Sequence, residues 1–139
     1  MKDVNNLTLI EEMDNNSKQM YCSMTIDTEE DRKKLFNLLG NCDYRISDKL
    51  NTEIELKDVL VQKFETIDDE NGTLEDKYRV ILIDKDGKTY ASGSKGLYRS
   101  LGQFLAIMGE PRTWTNPVKI KVEEVGIKNG GKTFVIKTI

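Results

Sequence analysis

Eight residues near the end of the sequence, Gly126 to Thr133, match the phosphate-binding Walker A pattern G-x-x-x-x-G-K-T. Such a loop binds phosphate because its backbone N–H groups converge with the N-terminus of a helix that follows the Lys-Thr pair. Here the six residues that follow are Phe-Val-Ile-Lys-Thr-Ile, and four of them are β-branched, which favours a strand. Asn129-Gly130, inside the same eight residues, is a strong signal of a tight hairpin. The sequence therefore predicts a hairpin turn here and not a nucleotide site.

Other catalytic chemistry is limited by residue content. The sequence contains no histidine, which excludes Ser-His-Asp and Cys-His nucleophile systems and His-ligated metals. Cys22 and Cys42 are too few for a disulfide framework, and their spacing fits no zinc pattern. Acidic residues are plentiful, but no pair of them lies in a known catalytic motif. We therefore expect a protein that is not an enzyme, uses no cofactor and holds no metal.

The bulk composition indicates one soluble domain. The chain has 139 residues, of which 37% are hydrophobic and 32% charged, and no apolar run approaches the roughly 18 residues of a membrane span. The first sixteen residues lack the basic and apolar regions of a secretion signal. We expect a cytoplasmic protein without membrane contact.

Charge is distributed unevenly along the chain. Residues 1–76 carry nine Lys and Arg against nineteen Asp and Glu, a balance of −10, whereas residues 77–139 carry twelve against five, a balance of +7. This asymmetry indicates either a polyanion-binding second half or a solvated surface whose charges are unevenly spread.

Local signals define the elements that must position any site. Residues 1–19 are predicted to form a flexible tail, and residues 20–139 a single domain. Thr28 and Ser94 are predicted to cap helices, and Gly40 and Gly109 to end them. The predicted helices span 29–39 and 95–108, and the predicted strands span 19–26, 52–67 (with a bulge near Asp58), 77–84, 88–93, 118–127 and 132–138.

The order of these elements predicts a mainly β, OB-fold-like architecture. From residue 52 the order is strand, strand, strand, helix, strand, strand, as in a five-stranded OB barrel with a helix between its third and fourth strands. The strand and helix at 19–39 would be an N-terminal extension. The alternative is an open α+β sheet with two helices on one face.

The basic half of the chain offers residues for binding single-stranded nucleic acid, which needs cations for phosphates and aromatic rings for bases. We expect Lys88, Tyr90 and Ser92 to face outward, with Tyr90 either stacking on a base or covering the barrel end. Trp114 lies in a proline-bounded loop and either stacks on a base or caps the barrel. Alternating lysines in strand 118–127 are either a row of phosphate contacts or a solubility feature. The predicted nucleic-acid-binding residues are Lys77, Arg79, Lys88, Tyr90, Arg112, Trp114, Lys119, Lys121, Lys128 and Lys132.

The segment YRVILIDKDGKTYASGSKGLYRSLGQFLAIMGEPRTWTNPVKIKVEEV resembles the short single-stranded-DNA-binding proteins encoded by phages and conjugative plasmids of Gram-positive bacteria. The shared features are the DGKTY hairpin, the Ser94-Lys95-Gly96 helix start, GEP followed by Trp114, and a closing lysine-rich hairpin. TIDTEEDRKKLFNLL and DYRISDKLN are similar to the family's N-terminal portion, so the resemblance covers most of residues 20–139. It implies an OB-like protein that coats single strands during replication or conjugative transfer, with little sequence preference. The acidic loop 68–76 departs from this pattern, because it occupies the position of an OB loop that often contacts ligand.

Two further expectations follow. Leu7, Leu9 and Ile10 in the tail are predicted to dock on a neighbouring copy by strand addition, giving self-association on DNA. Single-stranded DNA is the predicted partner, with duplex DNA left open. The rival function is a protein-interaction module, such as a mobile-element inhibitor of a host factor, that acts through the acidic half.

Overall fold

The computed structural model describes residues 20–67 and 69–139. Within these residues, two helices and two single turns of 3₁₀ helix (Ile46–Asp48 and Pro111–Thr113) join the strands of one sheet. In chain order the main elements are β1 (Met20–Cys22), α1 (Glu29–Gly40), β2 (Tyr44–Arg45), β3 (Ile54–Ile67), β4 (Leu74–Asp84), β5 (Thr89–Ser92), α2 (Lys95–Met108), β6 (Val118–Gly126) and β7 (Lys132–Thr138). Across the described residues, neither helix is long and apolar enough to span a membrane.

The sheet is a curled, mainly antiparallel array built around β3. Its strand order is β2-β5-β4-β3-β6-β7, and β1 pairs with β3 beside this path. The pairing of β3 with β4 shifts register between Leu56 and Asp58, so the predicted bulge is confirmed. A bulge bends its strand, which allows β3 to pair with β6 at one end and with β1 farther along. The half-barrel curl and the two helices are consistent with an OB-like fold.

Both helices begin at the residues predicted from the sequence. Thr28 forms a capping box with Asp31, whose carboxylate accepts hydrogen bonds from the backbone N–H groups of Asp27 and Thr28. The Ser94 hydroxyl accepts from the backbone N–H of Leu97 at the start of α2. Gly109 ends α2 at φ 84°, a left-handed angle that favours glycine.

The two helices lie on opposite faces of the sheet. On the inner face, Tyr78, Val80 and Leu82 of β4 pack against the apolar side of α2. On the outer face, Leu60, Ile81 and Ile83 of the sheet are covered by half-buried leucines of α1, namely Leu35, Leu38 and Leu39. The alternative architecture with both helices on one face is therefore wrong.

The segment that matches Walker A is a β-hairpin. β6 and β7 pair antiparallel from Ile120 with Thr138 to Gly126 with Lys132. The Gly130 N–H donates to the Ile127 carbonyl oxygen at 3.0 Å, and Gly130 has φ 81°. A turn followed by a left-handed glycine closes a three-residue hairpin loop, so the hairpin predicted at Asn129-Gly130 is confirmed. No helix follows Thr133, so a phosphate loop does not form here.

The largest differences from the predicted strands are at β4 and β1, whose extents differ, and at β2, which was not predicted. β4 begins at Leu74 and not at residue 77, because its pairing with β3 continues outward to Ile67 opposite Leu74. β1 is short, because only residues 60–62 of β3 pair with it. The connector after α1 contributes β2, which pairs parallel to β5 at the edge of the sheet.

Candidate nucleic-acid interface

A concave surface opens on the outer face of the sheet, beside the C-terminal end of α1. It consists of two adjoining cavities, of about 850 Å³ and about 390 Å³, and both are lined by Leu39, Gly40, Phe64 and Arg79. We call this surface the α1 groove; its other lining residues are Phe36, Asn37, Asn41, Cys42, Arg45, Gln62, Tyr78, Ala91, Ser92 and Gly93.

The register of the β3–β4 hairpin places the floor of the α1 groove. α1 covers the pair of Leu60 and Ile81. Two residues farther along β3, Gln62 lies opposite Arg79, and two residues beyond that, Phe64 lies opposite Lys77. Since alternate residues of a strand share a face, these side chains lie on the same outer face as the covered pair. The groove is therefore the portion of the outer face that α1 leaves open.

Two phenylalanines give the α1 groove its aromatic surface. Phe36 lies on α1 beside the leucines that pack on the sheet, and its side chain is 76% exposed. Phe64 is half-buried on β3. An exposed ring face can stack on any nucleic-acid base, since every base has a π-face. The pair is suited to holding unpaired bases without sequence preference.

Arg79 joins the sheet to the end of α1. Its Nη1 donates a hydrogen bond of 2.6 Å to the Leu39 carbonyl oxygen, and the last turn of α1 has no basic residue of its own. The cation thus offsets the partial negative charge at the helix C-terminus. Arg79 forms no ion pair with any described residue, so none of the carboxylates in that part of the chain neutralises its charge. Arg45, beside Ala91 on the sheet edge, adds a second arginine to the groove and lies 3.4 Å from Asp48.

Comparison with known proteins decides the family. Residues 14–138 match the sequence profile of the Phi29-type family of phage single-stranded DNA-binding proteins. The chain belongs to this family. The single-stranded DNA-binding protein of Bacillus phage GA-1 is 26% identical over 106 residues, which are 73% of this chain and 61% of that relative. This chain thus matches less than two thirds of the relative's length. No solved structure is significantly similar to the chain.

Family membership confirms the resemblance seen in the sequence.

The structure does not confirm the predicted orientation of Tyr90, which was expected to face outward. Tyr90 is only 7% exposed on the inner face, where its ring lies 5.2 Å from that of Tyr44. Its hydroxyl donates to the Asp84 carboxylate at 3.0 Å, and burial together with this carboxylate raises the pKa of Tyr90 to about 12. The small residue Ala91 does lie beside a packed helix, but that helix is α1, on the outer face. The face assignment was wrong because the sequence does not tell which helix covers which face.

Trp114 makes the contacts of the capping alternative. Its Nε1 donates to the Met108 carbonyl oxygen at 2.9 Å, and its ring meets that of Phe104 edge-on at 6.0 Å. The exposed portion of the ring lines a separate cavity of about 270 Å³, whose lining also includes Lys57 and Arg112. Arg112 lies 3.4 Å from the Glu110 carboxylate and donates to the Cys22 carbonyl oxygen at 3.3 Å. Neither predicted residue lies in the α1 groove.

Most predicted lysines lie outside the α1 groove and beside acidic residues. The Lys119 and Lys121 ammonium groups are 4.0 Å from Glu53 and 3.1 Å from Glu123, so the alternating row on β6 is of mixed charge. Lys132 and Lys77 also pair, with Glu124 at 3.9 Å and Glu75 at 3.6 Å. The exposed residues Lys88 and Lys128 flank the two tight hairpin turns. Leu7, Leu9 and Ile10 lie outside the described residues.

Of the predicted set, the structure brings only Arg79 into the α1 groove, with Lys77 next to Phe64. Sequence reasoning missed Phe36 and Phe64 as site residues. Phe64 carried a usable signal, because it is a large aromatic side chain in the same strand phase as the polar residues Gln62 and Thr66. Phe36 carried another, since it flanks the leucine face of α1.

Proposed function

We propose that this protein is a non-enzymatic single-stranded-DNA-binding protein that holds unpaired bases in the α1 groove. The observation that supports this most directly is the meeting of two phenylalanines with Arg79 and Arg45 on one concave surface, in a member of a phage single-stranded-DNA-binding family. Bases stack on Phe36 and Phe64, while the arginines bind phosphates. None of these contacts reads a base edge by hydrogen bonding, so sequence preference is weak.

The finer fold assignment belongs to the same proposal. Strands β3 to β7 form the five-stranded OB-like barrel, with α2 between its third and fourth strands. β1, α1 and β2 are the extension that builds one wall of the groove. Residues 20–139 then act as a single nucleic-acid-binding domain in the cytoplasm. The biological role is the coating of single strands during phage or plasmid replication or conjugative transfer.

Both base stacking and phosphate contacts contribute to the affinity for single-stranded DNA. Each stacked base is worth about 1–3 kcal/mol by alanine substitution, and each phosphate contact adds about −0.7 to the salt slope on single strands. Of the two groove arginines, Arg79 contributes more, because Arg45 pairs with Asp48 whereas Arg79 forms no ion pair with a described residue. Lys119, Lys121 and Lys132 contribute less, since each must exchange a glutamate for a phosphate.

The test is fluorescence anisotropy of a labelled, unstructured oligonucleotide, as a single strand and as a duplex, over a series of salt concentrations. We expect tighter binding of the single strand, which weakens with salt. Phe64→Ala should weaken single-strand binding while Arg99→Ala, on the exposed side of α2, should not. Equal affinity for both forms would argue against base stacking. No binding at low salt would refute the proposed function and redirect attention to a protein partner of the acidic half.

A further inference from the structure

The outer tip of the β3–β4 hairpin carries two exposed aliphatic side chains. Ile67 and Leu74 are opposite one another in the last pair of the ladder, and they are 65% and 66% exposed. The sequence from 65 to 76 holds six acidic residues and no basic residue. Since DNA is a polyanion, this tip is poorly suited to contact it. Two neighbouring apolar side chains in an acidic setting fit a protein surface better.

The opposite end of the domain offers a cavity of about 270 Å³ beside Trp114. Pro111 and Pro117 supply apolar walls, and the charged lining residues are Lys57, Asp58 and Arg112, the last of which pairs with the Glu110 carboxylate at 3.4 Å. A cavity of about 150 Å³ is already large enough for a benzene ring. The cavity therefore has room for an aliphatic side chain, and beside it lies the exposed Lys57, which forms no ion pair with a described residue.

The tip and the cavity lie at opposite ends of β3. Asp58 lines the cavity, and Ile67 lies nine residues farther along the same strand, or about 30 Å at the rise of a β-strand. A single copy cannot bring them together. Two copies can, if each places its tip against the far end of the next.

We propose that neighbouring copies on a single strand contact head to tail, with the β3–β4 tip of one copy docked in the Trp114 cavity of the next. The contact rests on the proposed DNA-binding function, which aligns the copies. It joins two different surfaces, so it is heterologous and extends as an open array, as a coat on a linear polymer requires. The acidic tip is complementary in charge to the exposed Lys57 beside the cavity, which fixes the direction of the array.

The first test compares short and long strands with the full-length protein. The double variant Ile67→Ser/Leu74→Ser removes exposed side chains outside the α1 groove, so a one-site oligonucleotide should bind unchanged. On a long strand we expect apparent affinity to fall about tenfold or more, because burying one aliphatic side chain is worth at least a decade in an equilibrium constant. Ile127→Ser removes a 48% exposed isoleucine from the other hairpin and should change neither result. Unchanged long-strand binding by the double variant would overturn the head-to-tail contact.

The second test identifies the two surfaces. In a background of Cys22→Ser and Cys42→Ser, Leu74→Cys protein is mixed with Thr115→Cys protein on long single-stranded DNA under mild oxidation. We expect disulfide-linked dimers between the two proteins and few in either protein alone. Dimers in Leu74→Cys protein alone would indicate a tip-to-tip contact, and no dimers in the mixture would indicate no contact; either result overturns the proposal.

Trp114 provides a readout that distinguishes docking between copies from DNA binding by a single copy. It is the only tryptophan, and it lies in the proposed docking cavity and outside the α1 groove. We expect its emission to change on long strands and to stay constant on a one-site oligonucleotide. An emission change of equal size on both would overturn docking as its cause. Failure of the unmodified protein to bind the short oligonucleotide would overturn the proposed function and the array with it.

Discussion

Phe36 offers the cleanest perturbation of the α1 groove, because its removal changes the ligand surface without changing the core. About a quarter of its side chain is buried, so Phe36→Ala loses roughly 0.5 kcal/mol of burial from the 1.5–3 kcal/mol of a fully buried side chain. Alanine is the better helix former by up to about 0.7 kcal/mol, which offsets that loss. The free energy of unfolding should therefore stay nearly constant.

Single-strand affinity should nevertheless fall by about 1–3 kcal/mol, or roughly 5- to 150-fold, if a base stacks on this ring. The salt slope should not change, because no charge is removed. The assay is anisotropy with a one-site oligonucleotide over a salt series, with urea unfolding of the same preparations. Ile107→Ala is the matched control, since Ile107 is 84% exposed on the other helix. A loss below twofold for folded Phe36→Ala, or an equal loss for the control, would refute the stacking argument.

Three further predictions concern charge, packing and ionisation. Arg79→Met should lower the magnitude of the salt slope by about 0.7 and loosen the end of α1, measured by salt titration and by hydrogen exchange. Gly96→Ala should destabilise the fold by about 1–3 kcal/mol in urea unfolding, because the added Cβ would overlap Thr133, with the Thr133 Cβ at 2.9 Å and a β7 carbonyl oxygen at 3.3 Å. Tyr90 has a raised pKa, so its folded state holds the proton more tightly than its unfolded state, and the stability this contributes is lost as pH rises from about 10 through about 12. Tyr90→Phe should flatten the decline over that interval, measured by thermal unfolding against pH.

The chain offers matched control variants for the Arg79 and Gly96 predictions. Arg99→Met removes an exposed arginine from α2, outside the α1 groove, so an equal change in salt slope would show that Arg79 acts only through net charge. Gly40→Ala adds a Cβ to the end of α1, where nothing lies within 4 Å, and should be neutral or slightly stabilising. An unchanged alkaline decline in Tyr90→Phe would show that the Asp84 hydrogen bond does not govern it.

Features with local causes could be predicted from the sequence. The caps at Thr28 and Ser94 depend on a few neighbouring residues, and the β6–β7 hairpin depends on the left-handed glycine at its turn. The bulge near Asp58 was visible as a slip in alternation. Each of these is a property of a few consecutive residues, so no knowledge of distant contacts was needed.

The site could not be predicted in the same way, because it is assembled from distant segments of the chain. Phe36, Arg45, Phe64 and Arg79 come from α1, β2, β3 and β4, and only the hairpin register and the docking of α1 bring them together. The predicted orientation of Tyr90 was wrong for a related reason. Its strand alternates as expected, but the face that it occupies depends on two helices that cover opposite sides of the sheet.

The position of α1 also restricts how a strand can lie in the groove. A helix C-terminus carries partial negative charge, so we expect a phosphate to approach this end only from the sheet side, where the Arg79 guanidinium that donates to the Leu39 carbonyl oxygen offsets that charge. Bases, which are neutral, can approach that end and stack on the rings of Phe36 and Phe64. We expect phosphates to lie along the sheet side of the groove, between Arg79 and Arg45. We therefore expect α1, which covers part of the outer face, to orient the strand with its bases toward the helix and its backbone away from it.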